Sequence, residues 1–213
     1  MQEIEFKTWP YRSRIQFANS VKAQAGIPWI FKDTYIDKTI PKNWEQAYIM
    51  DSLLDLAKSK PRERYQSLLV SGGCGTGKSH LGCGFVNSLM EYVGRKDDEY
   101  DFLPMYVNEA DLLIRITAYK GRDWFSVYSD EARYLVIDEF GMAVWTTAES
   151  RRVEQLLNKR FANGYKTVLL TNLTNDELWS RISAPLRSRL LTGRTAVLTG
   201  EDLRENPSDV EDF

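Results

Sequence analysis

Apolar positions along this 213-residue chain follow two periods. Short unbroken apolar runs read as buried strands at 67–71, near Leu103 to Val107, at Tyr134-Leu135-Val136-Ile137, from Thr167 to Leu170 and from Thr195 to Leu198. Between them apolar residues recur at helical spacing, at Ile49, Leu53, Leu54 and Ala57 within 44–57, then at Leu81, Phe85, Leu89 and Met90. Capping residues punctuate the helices. Asn108 precedes Asp111 by three residues, and Thr146 with Glu149 and Thr174 with Glu177 form capping boxes. Gly164 stands where a helix from 147 to about 162 would close, and Ser183-Ala184-Pro185 opens another. Strands alternating with helices predict a parallel sheet covered on both faces, with a ligand at the carboxyl ends of its strands.

The remaining segments are polar or irregular. Residues 1–45 mix Trp9, Tyr11, Arg12, Arg14, Phe17 and Lys22 with an extended stretch from Gly26 to Phe31, and read as an N-terminal arm. Residues 46–200 form the globular domain, with a charged loop from Val93 to Glu99 and a less regular stretch at 118–130. Residues 201–213 hold six acids and one base, an acidic tail on a body that is then mildly basic, although the whole chain carries −2. Such a balance permits nucleic-acid contact without demanding it. With 43% hydrophobic and 27% charged residues the composition is that of a single ordinary domain. No run of eighteen apolar residues and no secretory layout is present, so a cytoplasmic protein without a membrane partner is expected. Cys74, Cys83 and the lone His80 offer no zinc or disulfide arrangement, and both cysteines read as reduced bystanders.

Residues 72–79, Gly-Gly-Cys-Gly-Thr-Gly-Lys-Ser, match the phosphate-loop pattern G-x-x-x-x-G-K-[ST] after an apolar strand and before a helix. Glycine lets the backbone turn so that successive N–H groups face phosphate oxygens, and the helix start adds its positive dipole end. The cradle comprises Gly72, Gly73, Cys74, Gly75, Thr76, Gly77, Lys78, Ser79 and His80. Lys78 would reach the β- and γ-phosphates, and Ser79 would place its hydroxyl on the Mg²⁺ that accompanies a triphosphate.

The strand at 134–137 ends in Asp138-Glu139, a Walker B arrangement. By itself an acidic pair after a strand is a helix start or turn. Coupled to the phosphate loop, Asp138 is suited to hold Mg²⁺ with Ser79, and Glu139 to activate the attacking water. Asn172, after the strand at 167–170, either turns the chain or contacts the γ-phosphate and the lytic water.

Taken in order, Gly-Lys-Ser-His-Leu, Leu-Val-Ile-Asp-Glu-Phe-Gly, Thr-Asn-Leu with Asp176-Glu177-Leu178, and Leu186-Arg187-Ser188-Arg189-Leu190 resemble AAA+ ATPases over residues 26–206. They look most like the branch of DnaC/DnaI helicase loaders and IstB transposition helpers. The resemblance implies an α/β fold, an AAA+ P-loop core with a central five-stranded parallel sheet flanked by helices and little or no C-terminal lid. It implies ATP and Mg²⁺ as cofactors, Asn172 as sensor 1, and Arg189, with Arg187 as rival, as an arginine finger entering the site of a neighbouring subunit in a homo-oligomer. Arg204 would be a second nucleotide sensor or a surface ion pair. The branch also implies contact with single-stranded DNA through the interval holding Arg115, Tyr119, Lys120, Arg122, Trp124, Phe125 and Tyr128, where aromatic faces can stack on bases; ordinary packing is the alternative. The chain lacks the length and cysteines of the loaders' helicase-binding domain, so docking would fall to residues 1–25, and a trimmed loader is expected. The implied activity is ATP-dependent loading of a replicative DNA helicase. An IstB-like transposition helper and a nucleotide-binding adaptor or inhibitor of a host loader are the alternatives.

Overall fold

A computed structural model describes residues 25–58, 67–95, 104–118, 121–200 and 202–203. Its centre is a sheet of β1 (Ser67–Gly72), β2 (Pro104–Asn108), β3 (Tyr134–Asp138), β4 (Lys166–Thr171) and β5 (Arg194–Leu198), in the order β2-β3-β4-β1-β5. Every pairing is parallel. The helices are α1 (Trp44–Lys58), α2 (Lys78–Arg95), α3 (Glu109–Thr117), α4 (Thr147–Asn163), α5 (Asn175–Arg181) and α6 (Ala184–Leu190).

Side-chain alternation splits the core in two. Leu68 and Val70 of β1, Val136 of β3 and Leu170 of β4 face α1 and α2, meeting Ile49, Leu53, Phe85 and Val86. Leu69, Met105, Val107, Leu135, Ile137 and Leu169 face the other way, onto Leu112 of α3, Leu156 of α4, Leu178 of α5 and Leu186 of α6. Central strands buried on both faces need continuous apolar runs, which is why the sequence shows runs rather than alternation there. Each wholly buried leucine contributes roughly 2 kcal/mol. Only β5 alternates half-exposed and exposed positions before ending in buried Leu198, as suits an edge strand. A Cβ at Gly82 would sit 2.7 Å from Leu170 Cδ1, so glycine is what lets α2 press onto the sheet.

The caps lie where the sequence places them. Asn108 accepts from the Asp111 amide, and both capping boxes are formed. Gly164 closes α4 in the left-handed conformation at φ 74°.

Three expectations need correction. Gly26 to Phe31 is not extended throughout, because Trp29–Phe31 is a 3₁₀ turn closed by the Phe31 amide on Pro28 O. Val93 to Arg95 belongs to α2 rather than to a charged loop. The irregular stretch contains a helical turn, Trp124–Ser126, that runs into a π turn, Val127–Glu131. Residues 25–40 pack on the core: Ala25 O accepts from the Tyr106 amide at 2.7 Å, and Asn87 donates to Phe31 O and Thr34 O at 2.8 Å each. Residues 1–24 lie outside the described residues.

Candidate nucleotide site

Gly72 ends β1 and Lys78 begins α2, so the phosphate-loop pattern occupies a strand-to-helix turn. Gly75 (φ 72°) and Gly77 (φ 95°) take left-handed backbone, which side chains rarely adopt; the turn depends on them. Lys78 is buried, and its ammonium donates to Gly72 O at 2.8 Å and Gly73 O at 2.5 Å. Thr76 Oγ1 donates to Gly73 O at 2.9 Å, tightening the same turn. Ser79 and His80 stand on the first turn of α2, and Cys74 is exposed.

Asp138 closes β3 and is 5% exposed. Its Oδ1 accepts from the Glu139 amide at 2.8 Å, and its Oδ2 accepts from the Tyr106 hydroxyl. Glu139 is exposed with φ 58°, the one non-glycine residue with positive φ among those described. Backbone of that kind costs about 1 kcal/mol or more and is tolerated where surrounding structure imposes it. Here the imposition is visible: the next residue, Phe140, is buried, and its amide donates to Leu170 O at 2.8 Å.

Register brings the pieces together. Ile137 pairs with Leu169 and Ser71 with Thr171, so Asp138, Asn172 and Gly72 emerge at the carboxyl ends of three adjacent strands. Asn172 is half-buried there.

Several participants escape the motif reading. Glu109, 2% exposed, accepts from the amides of Gly141 at 2.5 Å and Ala143 at 2.7 Å, shaping the turn that follows Glu139. Burial pushes its carboxyl above the ordinary value, against the pull of those two donors. Both cysteines are free, as expected, and Cys83 is buried, which pushes its thiol far up. Around the loop, His80 Nε2 lies 3.3 Å from Thr39 Oγ1 and its ring meets Phe31 edge-on, while burial lowers its pKa. Leu203 donates its amide to Gly75 O at 3.1 Å, and Asp202 lies where a Gly75 Cβ would go. The chain after β5 therefore returns to the loop; a helical or apolar period could not have announced two residues of tail. Arg204 and Lys120 lie outside the described residues.

Arg189 is not part of this constellation. It is exposed on α6 and donates to Asn158 of α4. The turn after it leads to Gly193, packed on Ser67 at the start of β1, which puts Arg189 toward the amino ends of the strands, on the opposite rim. Arg187 stands over Trp179 at 5.4 Å. In the 115–128 interval Tyr128 is wholly buried and its hydroxyl accepts from Arg115 at 2.9 Å, so it offers no face to a base. Trp124 stacks on Tyr128 at 5.6 Å, with Arg115 and Arg122 over its ring, and Phe125 lies under Arg152 at 3.7 Å. Arg122 also pairs with Glu131 at 3.5 Å.

No protein-family model and no curated protein matches the sequence. Solved structures do. The DnaC helicase loader superposes with TM-score 0.68 at 18% identity, over 80% of this chain and 99% of that one. DnaI gives 0.70 at 13%, over 85% and 98%. AMPPCP-bound DnaA from Aquifex aeolicus gives 0.63 at 14%, over 78% and 50%. The fold is an AAA+ P-loop core. Within that class it is DnaC/DnaI-like. Among the described residues no helix is long and apolar enough to cross a membrane.

Proposed function

We propose that this protein is an ATP-dependent loader of a replicative DNA helicase that binds ATP with Mg²⁺, hydrolyses it, and contacts single-stranded DNA. One observation carries the reading: Lys78, Ser79, Asp138, Glu139 and Asn172, all suited to handling a triphosphate, stand at the carboxyl end of a sheet whose fold extends over nearly the whole of the DnaC helicase loader and DnaI structures but half of DnaA.

The donor set suits Mg²⁺. Ser79 hydroxyl and Asp138 carboxylate are hard oxygen ligands, and no cluster of three or more His, Cys, Asp or Glu stands ready among the described residues. That matches a cation held by one or two side chains and by phosphates. Ser79 and Asp138 would hold such a cation, which would supply charge neutralisation at the β- and γ-phosphates. Lys78 binds the same phosphates through the ammonium that now bonds Gly72 O and Gly73 O. Glu139, exposed at the strand end, accepts the proton of the lytic water, and Asn172 beside it orients that water. Arg189, on the far rim, acts on the site of a second copy in an oligomer, stabilising charge on the transferred phosphoryl group. Arg122, Trp124 and Phe125 supply a cationic and aromatic edge for the DNA strand, at the cost of their present partners.

Co-purification with the cognate replicative helicase, with and without ATP and single-stranded DNA, tests the reading. An ATP-dependent complex is expected. Capture of a transposase instead would favour the transposition helper, and turnover indistinguishable among wild type, Lys78→Ala and Glu139→Gln would leave an adaptor without catalysis.

A further inference from the structure

Asp138 is the carboxylate on which the proposed metal site depends, and both of its oxygens are already engaged. Oδ1 takes the Glu139 amide, its neighbour in the chain, and Oδ2 takes the phenol of Tyr106 from β2. The Val107–Ile137 and Tyr106–Val136 pairings set the two strands side by side. Tyr106 is 5% exposed and sits on the α2 face of the sheet. Across from it on α2 is Cys83, wholly buried in the same apolar cluster as the phenol. A phenol has one proton, and an ionised carboxylate only accepts. Tyr106 therefore spends its one proton on Asp138. The bond runs from β2 to β3 and ends on the carboxylate, with Cys83 of α2 packed in the same cluster.

We propose that Tyr106 is a positioning residue for the metal-binding carboxylate, fixing the rotamer of Asp138 and spending one lone pair of Oδ2 so that the remaining oxygen lone pairs face the cation, with the cluster that includes Cys83 holding the phenol in line. The inference rests on the nucleotide-site reading above and adds a residue that no phosphate-loop or Walker B pattern contains. Outer groups that orient a metal ligand typically contribute about 10-fold to 100-fold in metal affinity. A carboxylate shared between a phenol and a cation belongs at the low end of that range, because Glu139 N still holds the other oxygen.

The test is a titration of Mg²⁺ on the full chain, read by the fluorescence of a bound ATP analogue and independently by ATPase rate. Tyr106→Phe keeps the ring and removes the donor. Analogue binding without Mg²⁺ should equal wild type, while the half-saturating Mg²⁺ concentration rises about tenfold and turnover recovers at high Mg²⁺. Asp138→Asn abolishes the Mg²⁺ enhancement, and Tyr106→Phe added to it should change nothing further. Cys83→Ala, by loosening that cluster, gives a second arm, with a shift in the same direction of about twofold, should Tyr106→Phe not fold. Unchanged Mg²⁺ dependence in a folded Tyr106→Phe, or in Cys83→Ala if only that variant folds, overturns the proposal. Wild type that binds no nucleotide, or binds it without response to Mg²⁺, overturns the nucleotide-site reading instead.

Discussion

Among the described residues the buried acids all lie at one end of the sheet, where Lys78 is buried with them, and the other end buries only cations. At the carboxyl end Asp138 and Glu109 are the buried acids, each satisfied by amides or a phenol. At the amino end the buried charges are Lys166, which opens β4, and Arg160, which donates to the carbonyls of Tyr128, Ala132 and Lys166 and to the Thr167 hydroxyl. Burial brings that guanidinium down to about 9. Further cations gather near it: Arg115 and Arg122 over Trp124, Arg152 over Phe125, and Lys159 bonded to Asp130 at 2.6 Å. Parallel connectivity explains the division. Each of α2, α3, α4 and α5 follows a strand, so their amino ends cluster at the carboxyl rim of the sheet. Helix amino ends favour negative charge and carboxyl ends favour positive charge. Under the proposed function one end takes phosphates, while the other packs through its cations.

The sharpest way to break this comparison is to disable the carboxyl end without touching the fold. Glu139→Gln should bind nucleotide as wild type does and lose about 10² to 10⁴ in turnover, the usual range for a positioned base. Lys78→Ala should lose binding itself. Steady-state hydrolysis with a fluorescent-nucleotide binding assay distinguishes the two, and a Glu139→Gln protein that turns over normally would remove the catalytic role from this rim. Arg189→Ala should fall by about 10³ with binding retained, and mixing with Lys78→Ala should restore part of the turnover if the finger acts between copies. No rescue at any ratio would return Arg189 to the packing of α6 on α4.

The amino end should answer in stability alone. Arg160→Met keeps length and apolar stem but strands several buried carbonyls, each costing about 1 kcal/mol or more, so a total near 3 kcal/mol is expected. For a chain of this size that is a fall in Tm of roughly 10 °C. Nucleotide affinity of the folded fraction should not change. A variant that melts normally, or that binds nucleotide poorly while folded, would erase the contrast between the ends.

How much of this was legible follows from where each group finds its partners. The phosphate loop, Asp138-Glu139 and the capping boxes are contiguous in sequence, and their geometry is set within a few residues, so pattern alone located them. Sheet order was inferable only as parallel and α/β; the register that sets Asn172 near Gly72 depends on distant strands. Tyr106 and Glu109 bind residues 32 positions away, and nothing in a strand tyrosine or a first-turn glutamate announces that. The aromatic and basic mixture at 115–128 is legible as composition, which does not reveal that Tyr128 points inward and that arginines already cover Trp124.

Glu109 sharpens the comparison by pH. Its folded-state pKa lies above the ordinary 4.5, with burial the largest cause. The folded protein therefore keeps a proton that the unfolded chain has released, so the contribution of Glu109 to stability is full below 4.5 and is lost as pH rises through the folded value. Gln cannot titrate and offers one acceptor where two amides wait. Glu109→Gln should cost about 1 kcal/mol near pH 4.5, and the cost should shrink toward neutral pH. Denaturant melts at three pH values measure this, and a gap that widens with pH would mean that the two backbone donors, not burial, govern the group.

The smallest effect separates two capping boxes of the same design at the same rim. Thr146 and Thr174 each accept from the amide of a glutamate three residues on, and each threonine amide donates in return to that glutamate's carboxylate. Thr→Ala at either should cost about 1 kcal/mol. Their consequences for turnover should differ. Thr174 closes the turn that carries Asn172, in which Leu173 N donates to Thr171 Oγ1 at 3.1 Å and Leu178 N to Thr174 O at 3.0 Å. Thr146 lies seven residues beyond Glu139, past the turn that Glu109 holds. Thr174→Ala should therefore lower kcat by about twofold to threefold through a looser Asn172, a change of well under 1 kcal/mol, while Thr146→Ala leaves kcat alone. Equal kcat losses in the two variants would make Asn172 a residue that only turns the chain.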